Sequence, residues 1–289
     1  MRDSARAAIP SMKVVAMEQL RVVGLAIRRE ALLLCAGLAT FGTIVAVAED
    51  LQGQGVMLEP EVLGYLAVLV ALVAPLAVWK GERLFGESEI WTMPVDHARH
   101  ARLKIIAGWV WLMAMVSVGL LAIVSSVWLY GGALGVDETR VLVSDPVLAR
   151  SGGGEITRVP WTSPLWQWAL PFTASTAAYL AASAFLVGIR RPVAWGVGCW
   201  LAFLAFGLLS ASGGIAWLTA TVETVVYLFD LLASGGSESA QTLVLLDSGE
   251  RVLGWTRLPT MGSWAAATAM WMALVGAAAW LATGRHREG

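Results

Sequence analysis

Apolar residues fill this chain in long unbroken runs, and the polar residues are gathered between them. Uncharged runs of about 18 residues or more, long enough to cross a hydrocarbon layer of about 30 Å, occupy residues 31–48, 62–79, 105–134, 166–189, 192–213 and 262–283. The pattern predicts an all-α integral membrane fold with six transmembrane helices. Residues 1–30 precede the first span. On a helical wheel Lys13, Arg21 and Arg28 share one face, while Val15, Leu20, Val23 and Ile27 lie on another, which predicts an N-terminal amphipathic helix at the membrane surface. These residues lack the compact apolar core and small-residue cleavage site of a secretory signal, so they read as retained.

Two long segments interrupt the spans, at 135–165 and 214–261. Each contains short β-like runs about a glycine-bearing turn, "VLARSGGGEITRV" and "LVLLDSGERVLGW", and the choice for each is between a small hairpin and an irregular loop. The stretch 215–233 is long enough for a seventh span. Glu223 and Asp230 fall on one face of it, seven residues apart, which suits an amphipathic or re-entrant segment between the fifth and sixth spans. Small residues recur every four positions at Ala174, Ala178 and Ala182, and at Ala265, Ala269, Ala273 and Ala277; such ladders let helices approach closely in lipid. Pro75 and Pro171 are expected to kink their helices.

Composition and charge add an orientation. The chain is 57% hydrophobic and 14% charged, with a mean hydropathy of +0.69, far from the composition of a soluble domain. With six spans and an inside N-terminus, 15 of the 20 Lys and Arg lie on the inner side. This bias predicts a multi-pass protein of a bacterial-type inner (cytoplasmic) membrane with both termini, including the 284–289 tail, in the cytoplasm. Trp79, Trp128, Trp166, Trp195, Trp264 and Trp280 fall near span ends, as in an interfacial aromatic belt. Cys35 and Cys199 lie within spans and read as small buried hydrophobes.

The spans of this six-span domain, residues 31–283, contain no Asp, Glu, Lys or His of the kind an ion-coupled carrier uses. "SGGGE" lacks the Lys-Ser or Lys-Thr of a phosphate-binding loop. The chain's three histidines, His97, His100 and His286, lie in inner segments without a convergent nucleophile or a third metal ligand. No enzyme activity, cofactor or nucleic-acid partner is expected on this chain.

What remains is one dense polar segment, residues 80–104, which carries Glu82, Glu87, Glu89 and Asp96 beside five Lys or Arg. The positive-inside rule accounts for the bases but not for the acids. The segment resembles the loop between the second and third spans of ABC type-2 transporter permeases. The matching positions are Glu82 and Arg83 in "KGER", Gly86, Pro94 and Val95 in "TMPV", Arg99 and Arg102, and Lys104 before "IIAG". Asp96-His97 replaces the basic residue usual after Pro-Val, which displaces that contact to Arg99. The resemblance implies the permease subunit of an ABC exporter. Its partners would be two copies of a cytoplasmic ATPase, which holds the ATP and Mg, and a second permease copy, a homodimer being expected, within the lipid bilayer. Glu82, Arg83, Gly86, Glu87, Glu89, Trp91, Met93, Pro94, Val95, Arg99, Arg102 and Lys104 are the expected ATPase-coupling residues, with Trp91 and Met93 as apolar anchors among the charges. The competing reading is a six-span integral-membrane enzyme or accessory protein without an ATPase partner.

Overall fold

The structure, a computed structural model, describes residues 12–51, 57–58, 60–80, 97–130, 132–143, 155–211, 216–233, 237–245 and 251–285. The apolar part of the chain is helical, as expected. In order the elements are α1 (Met12–Leu51), β1 (Met57–Leu58), α2 (Pro60–Val78), α3 (His97–Leu129), β2 (Ala133–Leu134), β3 (Val136–Val143), β4 (Glu155–Thr162), a 3-10 turn (Leu165–Ala169), α4 (Leu170–Gly188), α5 (Pro192–Ala211), α6 (Ala216–Ala233), β5 (Ser237–Leu245), β6 (Arg251–Pro259) and α7 (Met261–Arg285). Among the described residues four helices are long and apolar enough to cross a membrane, at Pro60–Val78, Ala98–Leu129, Leu165–Gly188 and Met261–Gly284. They fall on four of the six expected runs and make this a membrane-embedded helical protein. Of the other two expected runs, 31–48 lies within α1, and 192–213 begins with α5.

α1 departs from expectation. The boundary at residue 30 has no counterpart in the backbone, because one 40-residue helix runs from Met12 through the first apolar run. Arg28, Arg29 and Glu30 are good helix formers, and no proline separates the polar from the apolar half. The two faces read from the sequence exist: Lys13, Arg21 and Arg28 are exposed, while Val23 and Ile27 are buried. The apolar face packs on α3, in one core with Ala101, Ile105 and Leu112.

The bundle is built on close pairs, α1 with α3, α2 with α4, and α4 with α7. Ala67 and Ala71 of α2 and Ala178 of α4 are buried in the shared core, and Ala184, Ala279 and Ala282 form the seam between α4 and α7. The first small-residue ladder therefore works as expected at Ala174 and Ala178. The second does not. Ala265, Ala269, Ala273 and Ala277 are all exposed, and α7 packs through Ala267, Val275, Ala279 and Ala282 instead. In a helix this rich in alanine, more than one stripe offers small residues at four-residue spacing, and spacing alone does not choose between them. Pro171 also differs from expectation. It sits in the first turn of α4, where its missing N–H has no helical partner to lose. Pro75 lies inside α2.

The two long segments each form a hairpin, and the hairpins join. β3 pairs antiparallel with β4 from Val136↔Thr162 to Val143↔Glu155, and β5 with β6 from Ser237↔Pro259 to Leu245↔Arg251. β3 also pairs with β6 at Leu142↔Trp255 and Val143↔Gly254, giving one sheet of order β4-β3-β6-β5. β1 pairs with β2 beside it. Gly135, at φ 67°, turns the chain from β2 into β3, a conformation that suits glycine. The first strand of the first hairpin lies at 136–143; "VLAR", the run the sequence suggested, lies outside the described residues.

The β3–β6 pairing can be tested directly. Paired antiparallel Cα atoms lie about 4.5–5.5 Å apart, within disulfide reach. Cysteines at Leu142 and Trp255, in a chain with Cys35 and Cys199 replaced by serine, should cross-link on mild oxidation. A pair at Leu142 and Leu245, which lie on non-adjacent strands, should not.

Candidate functional site

The expected coupling segment divides at the end of α2. Glu82, Arg83, Gly86, Glu87, Glu89, Trp91, Met93, Pro94 and Val95 lie outside the described residues. Arg99, Arg102 and Lys104 lie within the first turns of α3, so the segment ends as a helix continuous with a candidate span.

The side chains on these turns point to different neighbours. Arg99 is exposed. The Arg102 guanidinium stacks over the Trp280 ring of α7, 3.4 Å from its centroid, and its Nε donates to Thr283 Oγ1 at 3.2 Å. Thr283 is itself buried. Lys104 is 4% exposed, unusual for a lysine, and its ammonium sits 4.7 Å from the centroid of the buried Trp79 ring at the end of α2. Such cation–π contacts reach about 2 kcal/mol where the cation is desolvated. His100 Nδ1 lies 3.4 Å from Gln19 Nε2 of α1. The start of α3 thus touches α1, α2 and α7. The sequence placed Trp79 and Trp280 at span ends but did not reveal that each faces a base of the candidate segment. Nor did it point to Thr283 or Gln19.

One ion pair stands at the same end. Lys80 Nζ donates to Glu30 Oε1 at 2.6 Å, joining α2 to α1. The hydrogen bond from Lys80 is the largest influence on Glu30 and holds its carboxyl below the usual glutamate range. Because the folded pKa is depressed, the pair's contribution is complete above the unfolded value and is lost as pH falls through the folded one. The parent should therefore lose thermal stability relative to Glu30→Gln on acidification below about pH 4.5, read as converging melting temperatures. Parallel melting curves down to pH 3 would show that the pair contributes nothing to the fold.

Deeper in the bundle the aromatic residues bind helices together. Trp111 Nε1 donates to the Leu20 carbonyl at 2.9 Å, and its ring lies over Gly24 of α1. Trp109 Nε1 donates to Thr176 Oγ1 at 3.0 Å, and Trp271 Nε1 to the Leu228 carbonyl at 3.2 Å. The buried Tyr179 hydroxyl donates to the Ile105 carbonyl at 3.0 Å. Of the expected belt, Trp128 and Trp195 are exposed, Trp166 and Trp264 stack with centroids 5.2 Å apart, and Trp79 is buried. Both cysteines are free, but Cys199 is exposed and not buried as expected; it lies on α5, most of whose described side chains face outward.

No protein-family model, curated protein or solved structure matches the chain. The class defined by the fold is a membrane-embedded helical bundle with a small sheet joining its connecting segments.

Proposed function

We propose that this chain is the membrane-spanning permease subunit of an ATP-driven exporter of the ABC type-2 kind, forming the translocation pathway and receiving force at residues 80–104 from a separate ATPase. The observation that carries the reading is the docking of Arg102 on Trp280 and Thr283 of α7, and of Lys104 on Trp79 of α2. A push on the first turns of α3 would pass through these side chains to Trp79 and to α7. The chain itself performs no catalysis; ATP and Mg belong to the ATPase, two copies of which would serve two permease copies. The outward-facing side chains of α5 suit contact with lipid or with that second copy.

Strand pairing supports the six-span arrangement. The sheet ties the segment between α3 and α4 to the segment between α6 and α7, so both belong on one side. If α4 crosses, an odd number of crossings must separate it from β5. One of α5 and α6 then spans and the other does not. Since α5 starts beside Arg190 and Arg191 and carries no charge, whereas α6 exposes Glu223, α5 is the crossing helix. The basic ends at Lys80, Arg190, Arg191 and Arg285 then share the cytoplasmic side, with both termini.

The test is copurification. Full-length chain extracted in mild detergent should bring down an ATP-hydrolysing partner. Separate variants Glu82→Lys, Glu89→Lys, Trp91→Ala and Met93→Ala should reach the membrane at parental levels. Loss of an interfacial anchor worth about 2 kcal/mol weakens binding roughly thirtyfold, so each should retain far less ATPase. Glu138→Lys, in the segment after α3, should retain it fully. Parental recovery of the ATPase by all four variants would reduce the segment to topological charge. Absence of any ATPase would favour the enzyme or accessory reading.

A further inference from the structure

Between α1, α2 and α3 runs an apolar groove. Its two halves share Leu34, Val70 and Met115, and both are open to the surface. The wall formed by α2, from Leu63 to Ala77, is about 21 Å long at about 1.5 Å per residue. The groove follows from the packing: α1 lies on α3, α2 lies on α4, and α1 and α2 touch each other little. Gly108 and Gly119 of α3 are among its lining residues.

Every residue lining the groove is apolar except Glu30, which stands at one end. One of its oxygens accepts from Lys80, and the other, Oε2, takes no hydrogen bond, on a side chain about 36% exposed. An ionised carboxylate oxygen only accepts. A long apolar trough that ends in an unmet acceptor suits a molecule with a hydrocarbon chain and an N–H-bearing cation. In a bilayer that description fits a phospholipid with a primary ammonium headgroup. The exposed Lys80 and Arg29 stand at the same end, where a lipid phosphate attached to that ammonium would lie.

We propose that this groove holds one acyl chain of an ethanolamine-type phospholipid from the leaflet nearest Glu30, with Glu30 Oε2 accepting from its ammonium and Lys80 facing its phosphate. The assignment is independent of any transport role. It distinguishes headgroups, because a choline headgroup has no N–H to donate and a glycerol headgroup has no positive charge.

The experiment uses full-length protein in nanodiscs made from equal parts of ethanolamine, choline and glycerol phospholipids, followed by transfer to mild detergent and mass spectrometry of the lipid still bound. The parent should retain ethanolamine over choline lipid by about tenfold, the scale of one charge-assisted hydrogen bond. Glu30→Gln should bring that ratio close to one while lipid is still retained. Ala74→Phe, which places a ring in the groove, should lose retained lipid of every class, with helical content and monodispersity checked alongside. If Ala74→Phe does not fold, the headgroup ratio in Glu30→Gln decides alone. Retention of detergent only, a parental ratio equal to that of the disc, or an unchanged ratio in Glu30→Gln each overturns the proposal.

Discussion

Gly108→Val should abolish recovery of folded protein. A Cβ on Gly108 would collide with the Tyr179 hydroxyl and lie 2.8 Å from Val78 Cγ2, so the side chain meets α4 and α2 at once. Neither neighbour has room to yield: Tyr179 is fully buried, Val78 is 2% exposed, and the hydroxyl is held by the Ile105 carbonyl one turn back along α3. Overpacking of a close-packed core costs typically about 1–3 kcal/mol, and here the displaced tyrosine would also lose its acceptor, another ~1 kcal/mol. Gly108→Ala should be milder and more informative. The nearest atom is the hydroxyl oxygen, so Tyr179→Phe removes the worst contact and leaves Val78. Tyr179→Phe alone should cost about 1 kcal/mol, and Gly108→Ala should cost less in the phenylalanine background than in the tyrosine one. A thermal-shift cycle in detergent measures the coupling. Additivity would mean that the two helices are not in contact at this point.

The position of Gly108 marks a limit of what the sequence conveys. "IIAG" is visible as the start of a span, and the glycine reads as one more small residue in an apolar run. Nothing in a run of that kind specifies which face meets which neighbour, since lipid and a neighbouring helix are both apolar. The same ambiguity misassigned the α7 ladder. Ala174 and Ala178 are buried while Ala265 and Ala269 are exposed, although their spacing is identical. Four of the spans were legible because length and lack of charge are properties of the segment itself. The union of the two hairpins was not, because strand pairing over more than a hundred residues leaves no local mark. Within each segment the β-like runs about a glycine left a hairpin and an irregular loop both open.

The candidate site divides along the same line. The charges of residues 80–104 stood out against an apolar background, and Arg102 and Lys104 were selected by the resemblance of the segment to a permease loop. Their partners were hidden for two reasons. Trp280 is one of 15 tryptophans, so its place near a span end carried little weight. Thr283 looks like any small polar residue at a helix terminus, yet its hydroxyl also turns back to the Trp280 carbonyl at 2.9 Å, which fixes it as the acceptor for Arg102. Glu30 closed the segment read as the N-terminal surface helix and drew no attention there; the continuous α1 and the end of α2 bring it to Lys80.

Arg102→Gln should separate motor binding from work. Glutamine keeps the length of the stem and a donor for Thr283 but removes the cation from the Trp280 ring, a contact worth about 0.5–2 kcal/mol. Arg102 faces α7, so a partner at the exposed Arg99 side of α3 should bind the variant as well as it binds the parent. The variant complex is therefore expected to hydrolyse ATP at nearly the parental rate while transport per ATP falls several-fold, because α7 no longer follows the first turns of α3. Trp280→Ala should reproduce this loss. Trp280→Phe, which keeps an aromatic face, should restore part of it. Thr283→Val tests the hydrogen bond separately and should have the smaller effect, since one neutral acceptor at 3.2 Å contributes less than the ring stacked at 3.4 Å. The measurement is transport and ATP turnover in the same proteoliposomes. Should Arg102→Gln and Trp280→Ala transport at the parental ratio, the contact only stabilises the bundle, and the path from the polar segment into the membrane must run through Lys104 and Trp79.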